Sequence, residues 1–384
     1  MRLHTLAVFS FSCPFLLLAC SSSANPGTPT VDAGLNGNPE PSGDASSADV
    51  DGAPSSEAGP SGCANGWCTV PLATSLVGPL RAVWGDLFLL SGTSDSTTAG
   101  GVGQVQRVDP TGSLVPLGAS LTGSIVDLGG ADSTHLLGVG STLGAGQVYS
   151  FDGASWSTTA LMLDPAIGGG PLRFPFAIYA PSQAEAFLIA GDTSATPTHW
   201  KGRPSTAVDV APAVGDIGGA LPPAVLFGFA ADDVWALGNA QTAQHWTGAS
   251  WQSVSIGAST PCFAGSTFGT HKAVCFAEDL GKAIAFDGSA WSTAAGATAV
   301  AGVTTISVAR SASGVVVLGA HSGAAQPAIF AYDGNVFSPV PFSFGDPTLQ
   351  PDSVGVFGSG RIAFTAYTVK NGLIDQWYLF RQGP

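Results

Sequence analysis

Apolar and polar residues alternate in short blocks along this chain, and one arrangement of the blocks recurs. In the clearest copy, residues 232–256, an apolar strand ends at Gly238 and a polar loop follows. A second strand then ends on Trp246, and after a tight turn a third opens on Trp251. Short alternating runs separated by turn residues are typical of β-strands. Weaker copies, each with four predicted strands, span residues 129–161, 178–210 and 306–341.

The aromatic residue before the tight turn measures the length of the repeat. It falls at Phe151, Trp200, Trp246, Phe286, Tyr332 and Phe380, with Val108 in a degenerate first copy. Successive markers lie about 40 to 50 residues apart, which is the period of β-propeller blades. Seven markers predict an all-β fold, a seven-bladed β-propeller with four-stranded blades.

The two ends of the chain predict how the ring closes. The last copy stops just after its third strand, whereas residues 65–72 look like a fourth strand with no unit before it. The fourth strands are predicted to open at Trp67, Leu114, Trp156, a degenerate site near Ser205, Trp251, Trp291 and Phe337. We therefore expect the N-terminal strand to close the last blade.

The repeated residues are given structural roles. We expect a positive φ where Gly ends the second strand, at Gly140, Gly191, Gly238 and Gly319. We expect two-residue hairpin turns at the Asp-Gly pairs 152–153, 287–288 and 333–334. Trp156, Trp251 and Trp291 are expected to pack one blade against its neighbour rather than to stack on a ligand.

Composition narrows the function classes. Of 384 residues only 10% are charged, 52 are Gly, and the net charge is −14. Binding to nucleic acid requires basic surface, so we expect no nucleic-acid partner. The same charge argues against electrostatic docking on anionic lipid. We find no apolar run long enough for a membrane-spanning helix.

The N-terminal residues have the pattern of a targeting segment. Arg2 precedes an apolar stretch from Leu6 to Leu18, and Leu17-Leu18-Ala19-Cys20 resembles the bacterial lipobox. The resemblance implies a signal peptide over 1–19 and acylation of Cys20, hence a membrane anchor. Ser21 after the Cys implies the outer membrane of the bacterial envelope. An ordinary secretory signal is the alternative.

After the signal peptide, the sequence predicts a flexible linker and then a single domain. Residues 20–66 are mostly Ser, Ala, Gly, Pro and acidic residues, and we assign them to a disordered acidic linker. Asp49 to Gly52 has a weak likeness to a calcium loop, but Glu57 is one place short of the required position. The propeller is assigned to residues 67–384.

The strongest copies also resemble a known family. The stretch Asp232 to Trp251 is similar to the D-V-W-A-x-G…H-W-x-G-x-x-W repeats of secreted bacterial β-propeller lipoproteins. Ser150 to Trp156 resembles the Asp-box hairpin of sialidase-like propellers. Such repeats imply a fold and leave the activity open.

Four cysteines would remain in the mature chain. Cys63 and Cys68 flank the start of the closing strand, and Cys262 and Cys275 fall on two strands of one blade. An even number in an oxidising compartment predicts two disulfides, Cys63–Cys68 and Cys262–Cys275. A four-cysteine zinc site is disfavoured because the usual C-x2-C spacing is absent.

No catalytic or metal-binding constellation is recognisable, and we expect no cofactor. His199 and His245 occupy the same repeat position and are expected on strand surfaces. Leu172 to Pro175 only faintly resembles a sialidase arginine motif. The two longest inter-blade loops carry Asp164, Arg173, Asp209 and Asp216, a possible ligand site on the loop face. The alternative is surface elaboration rich in Gly and Pro.

The sequence therefore predicts a monomeric, envelope-anchored propeller that binds protein or glycan without catalysis. An extracellular propeller glycosidase or lyase is the runner-up. A purely structural envelope protein is the third possibility. The ligand is not specified by any motif.

Overall fold

A computed structural model describes most of the repeat region. The described residues are 62–72, 78–92, 101–143, 145–163, 170–171, 175–182, 185–190, 196–201, 225–238, 242–257, 262–321 and 327–383. Their regular structure is β-strand apart from two short 3-10 turns, Leu280–Lys282 and Ala297–Val300. Among these residues, no helix has the length and apolar character needed to cross a bilayer.

The strands follow the chain in hairpin-connected groups. The first group is β1 (Cys63–Ala64), β2 (Trp67–Leu72), β3 (Leu80–Val83), β4 (Asp86–Gly92), β5 (Val102–Val108), β6 (Leu114–Pro116) and β7 (Leu121–Thr122). The second is β8 (Ser124–Asp132), β9 (His135–Thr142), β10 (Ala145–Phe151), β11 (Trp156–Ala160), β12 (Met162–Leu163) and β13 (Gly170–Pro171).

Eighteen further strands follow in chain order. They are β14 (Pro175–Ser182), β15 (Glu185–Ala190), β16 (Thr196–Lys201), β17 (Val225–Ala230), β18 (Asp233–Leu237), β19 (Thr242–Trp246), β20 (Trp251–Ser255), β21 (Ala264–Phe268) and β22 (Lys272–Phe276). The last nine are β23 (Ile284–Phe286), β24 (Trp291–Thr293), β25 (Val303–Ser311), β26 (Gly314–His321), β27 (Pro327–Tyr332), β28 (Phe337–Val340), β29 (Gln350–Val356), β30 (Ile362–Lys370) and β31 (Leu373–Gln382).

These strands form antiparallel sheets arranged as a β-propeller. In the described residues, six blades have four or five strands: β3–β7, β8–β11, β17–β20, β21–β24, β25–β28, and β29–β31 with β2 and β1. Strands β14–β16 form a three-stranded sheet between the second and third of these blades, and β12 pairs with β13. We call β17–β20 the contiguous blade and β29–β31 with β2 and β1 the closing blade.

The first strand of each sheet lies nearest the common axis. These inner strands are β3, β8, β14, β17, β21, β25 and β29, and each contacts the inner strand of the next sheet. Strand β29 in turn contacts β3, which brings the two ends of the chain together. Propellers remove their open sheet edges by this radial arrangement.

The predicted closure by the N-terminal strand is confirmed. Strand β2 runs antiparallel to β31, with Cα partners from Trp67↔Gln382 to Leu72↔Trp377. Strand β1, Cys63–Ala64, pairs with the outer side of β2, although the sequence analysis placed these residues in the linker.

The predicted fourth-strand openers are also confirmed wherever they are described. Trp251 is 2% exposed and meets Phe187 of the preceding sheet edge to face, with ring centroids 6.0 Å apart. Trp291 contacts Phe227 of the contiguous blade with the two rings tilted by 51° and their centroids 6.4 Å apart. The rings therefore join neighbouring sheets, as expected of large aromatic side chains. Ser205 lies outside the described residues.

The prediction of two-residue hairpin turns is wrong. Phe151 is paired with Trp156, so the loop between them has four residues. The carboxylate of Asp152 accepts hydrogen bonds from the backbone N–H groups of Ala154 and Ser155, at 2.9 and 2.8 Å. The same caps are formed by Asp287 and Asp333. This side-chain capping stabilises a longer turn than the Asp-Gly pair alone requires.

The reason given for the repeated glycines is also wrong where it can be checked. None of Gly140, Gly238 and Gly319 has a positive φ. A Cβ at Gly140 would instead collide with the carbonyl oxygen of Ser124, and one at Gly319 with that of Thr304. These glycines are required because the first strand approaches the second closely. Gly191 lies outside the described residues.

Polar side chains join the inner strands around the axis. Ser307 accepts a hydrogen bond from the N–H of Val354 at 3.2 Å, and Ser353 accepts one from Leu80 at 2.7 Å. Asp127 accepts one from Ile178 at 2.8 Å, and its other carboxylate oxygen pairs with Arg81 at 2.5 Å. Because these groups are largely buried, each bond satisfies a donor that water could not reach.

Candidate functional site

None of the four residues predicted for a loop-face site lies in the described part of the chain. Asp164, Arg173, Asp209 and Asp216 all lie outside the described residues, as does Cys20. Part of the first long loop forms the two-stranded hairpin β12–β13. The loop-face site therefore stays a prediction.

Both predicted disulfides are present. Cys63 and Cys68 are directly opposed on β1 and β2 and are bonded. Cys262 lies just before β21 and is bonded to Cys275 on β22. The first bridge fixes the outer edge of the closing blade, and the second is enclosed within a single blade.

A cavity lies on the outer part of the closing blade, and we call it the closure groove. It has a volume of about 480 Å³, within the range of ligand-binding clefts. The lining is Gly62, Ala64, Trp67, Thr69, Pro71, Phe342, Ser343, Phe344, Gln376, Tyr378 and Phe380.

Strand alternation explains how these residues come to share one surface. Every second residue of a strand points to the same face, so Trp67, Thr69 and Pro71 of β2 lie on one side. Alternate residues of the paired strand β31, Gln376 and Tyr378 among them, line the same groove. The segment after β28 supplies the opposite wall.

Aromatic contacts hold that wall in place. Phe342 meets the ring of Trp67 at right angles, with centroids 5.5 Å apart. Phe344 packs on Phe380 at 5.0 Å and on Tyr378 at 5.7 Å. Phe342, Phe344 and Tyr378 remain only partly buried. The groove therefore has an aromatic surface that remains partly accessible to solvent.

The groove is electrostatically neutral. None of its lining residues carries a charge. The indole N–H of Trp67 donates to the carbonyl oxygen of Pro341 at 2.8 Å. The side-chain amide of Gln376 donates to the carbonyl oxygens of Leu72 and Trp377 at 2.6 and 2.8 Å. Because these donors already bond to backbone carbonyl oxygens of the protein, the groove can bind a ligand mainly through apolar contacts.

A second cluster joins the contiguous blade to the next blade. Asp233 accepts from the indole N–H of Trp235 at 3.0 Å and lies 2.8 Å from Nε2 of His245. Its other oxygen lies 3.2 Å from Nε2 of His271, which stacks on Phe229 with centroids 4.4 Å apart. Both imidazoles share one carboxylate, so the cluster binds the two blades together. The described residues contain no group of three or more His, Cys, Asp or Glu able to hold a metal ion.

His245 was predicted on a strand surface, and it is partly buried on β19. Its ring stacks on Trp235 with centroids 4.0 Å apart, an arrangement that the sequence analysis did not anticipate. The equivalent His199 lies on β16 opposite Phe187 in the backbone register.

One partly buried acid lies on the inner strand of the closing blade. Asp352 sits at a register irregularity of β29, where Thr365 donates to its carboxylate at 2.9 Å. Burial raises the pKa of Asp352 to about 6, although Thr365 and the charge of Arg81 lower it. Its side chain keeps partial access to solvent, which moderates the cost of its charge.

Sequence reasoning missed the closure groove. The signal was available in Phe342-Ser343-Phe344, an apolar alternation placed between two blades where a polar connection is usual. Its partners on β31 could not be assigned without the register of the closing strand.

Comparison with known proteins supports the fold and leaves the family open. No protein-family model matches the sequence, and no curated protein matches it significantly. YCF48 bound to D1 peptide superposes with a TM-score of 0.53 at 14% identity, covering 85% of this chain and 99% of that chain.

Two further solved structures are similar in fold. The Cps50 (Swd1) β-propeller domain of Myceliophteria thermophila gives a TM-score of 0.54 at 13% identity over 81% of this chain and 98% of that chain. U3-55K gives 0.52 at 10% identity over 83% of this chain and 98% of that chain. At such identities the likeness establishes a β-propeller and nothing finer.

Proposed function

We propose that this protein is a bacterial envelope lipoprotein whose β-propeller acts as a non-enzymatic interaction module. Acylated Cys20 would anchor it to the outer membrane, and the acidic tether would separate the propeller from the bilayer. The lipobox-like Leu17 to Cys20 and the repeat resemblance over Asp232 to Trp251 support this assignment to secreted propeller lipoproteins.

The ring is proposed to have seven blades. The three-stranded sheet β14–β16 would be the seventh, with a fourth strand opening near Ser205 as the spacing predicts. Two observations support this: β14 contacts both β8 and β17, and Trp251 packs on Phe187 of that sheet.

The closure groove is proposed as the partner site, and its occupant as an extended, uncharged peptide segment containing proline or aromatic residues. The observation that carries this proposal is a partly open aromatic lining without any charge. Burying a partner's charge in such a groove would cost free energy with no compensating ion pair. Proline-rich segments dock in aromatic grooves with little loss of conformational entropy.

The fold is compatible with this role. YCF48, which has the same fold at 14% identity, has been solved bound to a peptide. That binding is a property of YCF48, and here it supports only the choice of a peptide as the first class of ligand to test.

The test is a peptide array probed with the full chain. We expect uncharged decapeptides with Pro and aromatic residues to bind, and the same sequences with inserted Asp or Lys to fail. Phe344→Ala should weaken binding at least about tenfold, as for a central contact of an interface. Leu373→Ala is the matched control, because Leu373 is 74% exposed on the same blade and does not line the groove.

Glycan is the second candidate ligand, because partly exposed aromatic rings such as Phe342 and Tyr378 also suit sugar stacking. A glycan array probed with the same two variants separates the classes. If the wild-type chain binds glycan but no peptide, and Phe344→Ala abolishes the glycan binding, the ligand is a glycan and the peptide proposal is wrong.

The anchor is tested separately. Metabolic labelling with an alkynyl fatty acid should label the wild-type chain. On cell fractionation, the labelled chain should be found with the outer membranes. Cys20→Ser should lose both the label and the membrane association, whereas Cys63→Ser should retain them. A labelled Cys20→Ser chain would contradict the lipobox assignment.

A further inference from the structure

The rim of the closure groove depends on a very short strand. Gly62 and Ala64 line the groove, and both belong to the segment around β1. Strand β1 pairs with β2 through two residue pairs, Cys63↔Cys68 and Ala64↔Trp67, and the N–H of Thr69 donates to the carbonyl oxygen of Gly62 at 3.4 Å. An exposed edge strand held by so few backbone contacts opens at low free-energy cost unless another restraint holds it. The disulfide between Cys63 and Cys68 supplies that restraint.

The rest of the closing blade does not depend on this disulfide. Strand β2 is held to β31 by six residue pairs, from Trp67↔Gln382 to Leu72↔Trp377. Trp67 is also buried and bonded to the carbonyl oxygen of Pro341. Loss of the disulfide would therefore free β1 and leave the ring closed.

The two disulfides differ in access to a reductant. Cys63 lies on the exposed outer edge of the blade, and its partner Cys68 is buried. Cys262 and Cys275 are 0% and 2% exposed within their own blade. Thiol–disulfide exchange requires a thiolate to reach one sulfur in line with the bond, so the exposed bridge should react first.

We propose that the Cys63–Cys68 disulfide is a redox latch on the closure groove, with the oxidised chain competent to bind and the reduced chain lacking the β1 rim. This rests on the proposed function of the groove. The reductant is a dithiol, in the cell a thiol–disulfide oxidoreductase of the C-x-x-C class.

The electrons and protons balance within this exchange. One thiolate of the dithiol attacks Sγ of Cys63, the disulfide bond breaks, and Cys68 leaves as a thiolate that takes up a proton. The second thiol of the reductant then attacks the mixed disulfide and releases Cys63 as a thiol. Two electrons and two protons pass to the cystine, and the dithiol becomes a disulfide.

The experiment treats the full native chain with dithiothreitol, then alkylates it and locates the label by peptide mass spectrometry. We expect Cys63 and Cys68 to be labelled at least about tenfold faster than Cys262 and Cys275. Hydrogen exchange on the same samples should rise roughly thirtyfold at residues 62–64 on reduction. The amides of 67–72 and 373–382 should keep their protection.

The double variant Cys63→Ser with Cys68→Ser should show the same local exchange without any reductant. Equal labelling rates for both disulfides, or unchanged exchange at 62–64, would overturn the latch. So would loss of protection over 67–72, because the disulfide would then hold the ring and not just the rim.

Peptide binding separates this inference from the proposed function. Binding by the oxidised chain that falls at least about tenfold on reduction supports both. Equal binding before and after reduction contradicts the latch and leaves the groove proposal intact. If the oxidised chain binds no peptide or glycan, the proposed function fails, whereas the exchange data still decide whether β1 is released.

Discussion

The closing blade and the contiguous blade use the same side-chain arrangement with different connectivity. In the contiguous blade all four strands lie within residues 225–255. In the closing blade the fourth strand comes from the opposite end of the chain, so that Trp67 is paired with Gln382. Each fourth strand nevertheless opens on a buried tryptophan, Trp251 or Trp67.

The difference shows which contacts hold the ring. Strands β19 and β20 are joined by a four-residue loop, since Trp246 is paired with Trp251. Local pairing of this kind costs little loop-closure entropy, whereas joining the two ends of the chain costs more. The closing blade therefore carries the long-range contacts, and its outer surface also contains the closure groove.

The largest expected effect compares the two tryptophans. Removal of either ring by substitution with alanine should cost about 3–5 kcal/mol of unfolding free energy, as for other buried Trp residues. Trp67→Ala should cost more than Trp251→Ala, because it also loosens β2 and opens the edge of β31. Urea unfolding followed by far-ultraviolet circular dichroism measures both. A smaller loss for Trp67→Ala would mean that closure contributes little to stability.

Two glycines on inner strands give the next contrast. A Cβ at Gly228 of the contiguous blade would strike the ring of Tyr179, and one at Gly355 of the closing blade would strike the side chain of Leu87. An aromatic ring moves less easily than a leucine tip, so Gly228→Ala should cost about 2–3 kcal/mol and Gly355→Ala about 1 kcal/mol. Gly345→Ala is the control, since nothing lies within 4 Å of its Cβ. Equal losses at 228 and 355 would show that rigidity does not decide the cost.

These contrasts also show what the sequence can and cannot predict. The fourth-strand openers were assigned correctly at Trp67, Trp251 and Phe337 because an aromatic after a tight turn is a local signal. The role of Gly140 was misassigned because the approach of Ser124 depends on how two strands are paired in space.

The closure groove and Asp352 were missed for a related reason. The groove is formed by β2, β31 and the segment around Phe342, which are distant in sequence and meet only when the ring closes. Asp352 sits at a register irregularity of β29, which no residue pattern predicts. Local chemistry predicted the blades, whereas sites formed between blades required the fold.

Asp352 is expected to make the stability of the folded chain depend on pH. Its pKa of about 6 in the folded chain lies above the unfolded value of 3.8. The folded state therefore binds the proton more tightly, and the stabilisation present at low pH is lost as pH rises through about 6. Between pH 5 and 7.5 the wild type should lose on the order of 1–2 kcal/mol relative to Asp352→Asn. Urea midpoints of the two chains at several pH values measure this difference.

If the stabilities of the wild type and of Asp352→Asn change in parallel between pH 5 and 7.5, Asp352 is not the source of the pH dependence. The capped acids of the hairpin loops do not interfere, because backbone hydrogen bonds lower the pKa of Asp287 to about 2. A lowered pKa in the folded state contributes stability that is lost only as pH falls through that lower value.

The smallest effect concerns the hairpin loop of the contiguous blade. This loop has Thr247 where other blades have a capping aspartate such as Asp152. Thr247→Asp should add caps to the N–H groups of Ala249 and Ser250 and stabilise the chain by about 0.5 kcal/mol. Thr247→Ala is the control, and thermal unfolding measures both. A lower melting temperature for the aspartate variant than for the alanine variant would contradict the capping account.

Native-state hydrogen exchange of the full chain tests ring closure by the N-terminal strand most directly. The account predicts that the amides of β2, residues 67–72, exchange with the same free energy of opening as those of β31, residues 373–382. It also predicts that both strands respond equally to low concentrations of urea. If β2 exchanges quickly, as a frayed terminus does, while β31 stays protected, the N-terminal strand does not close the ring.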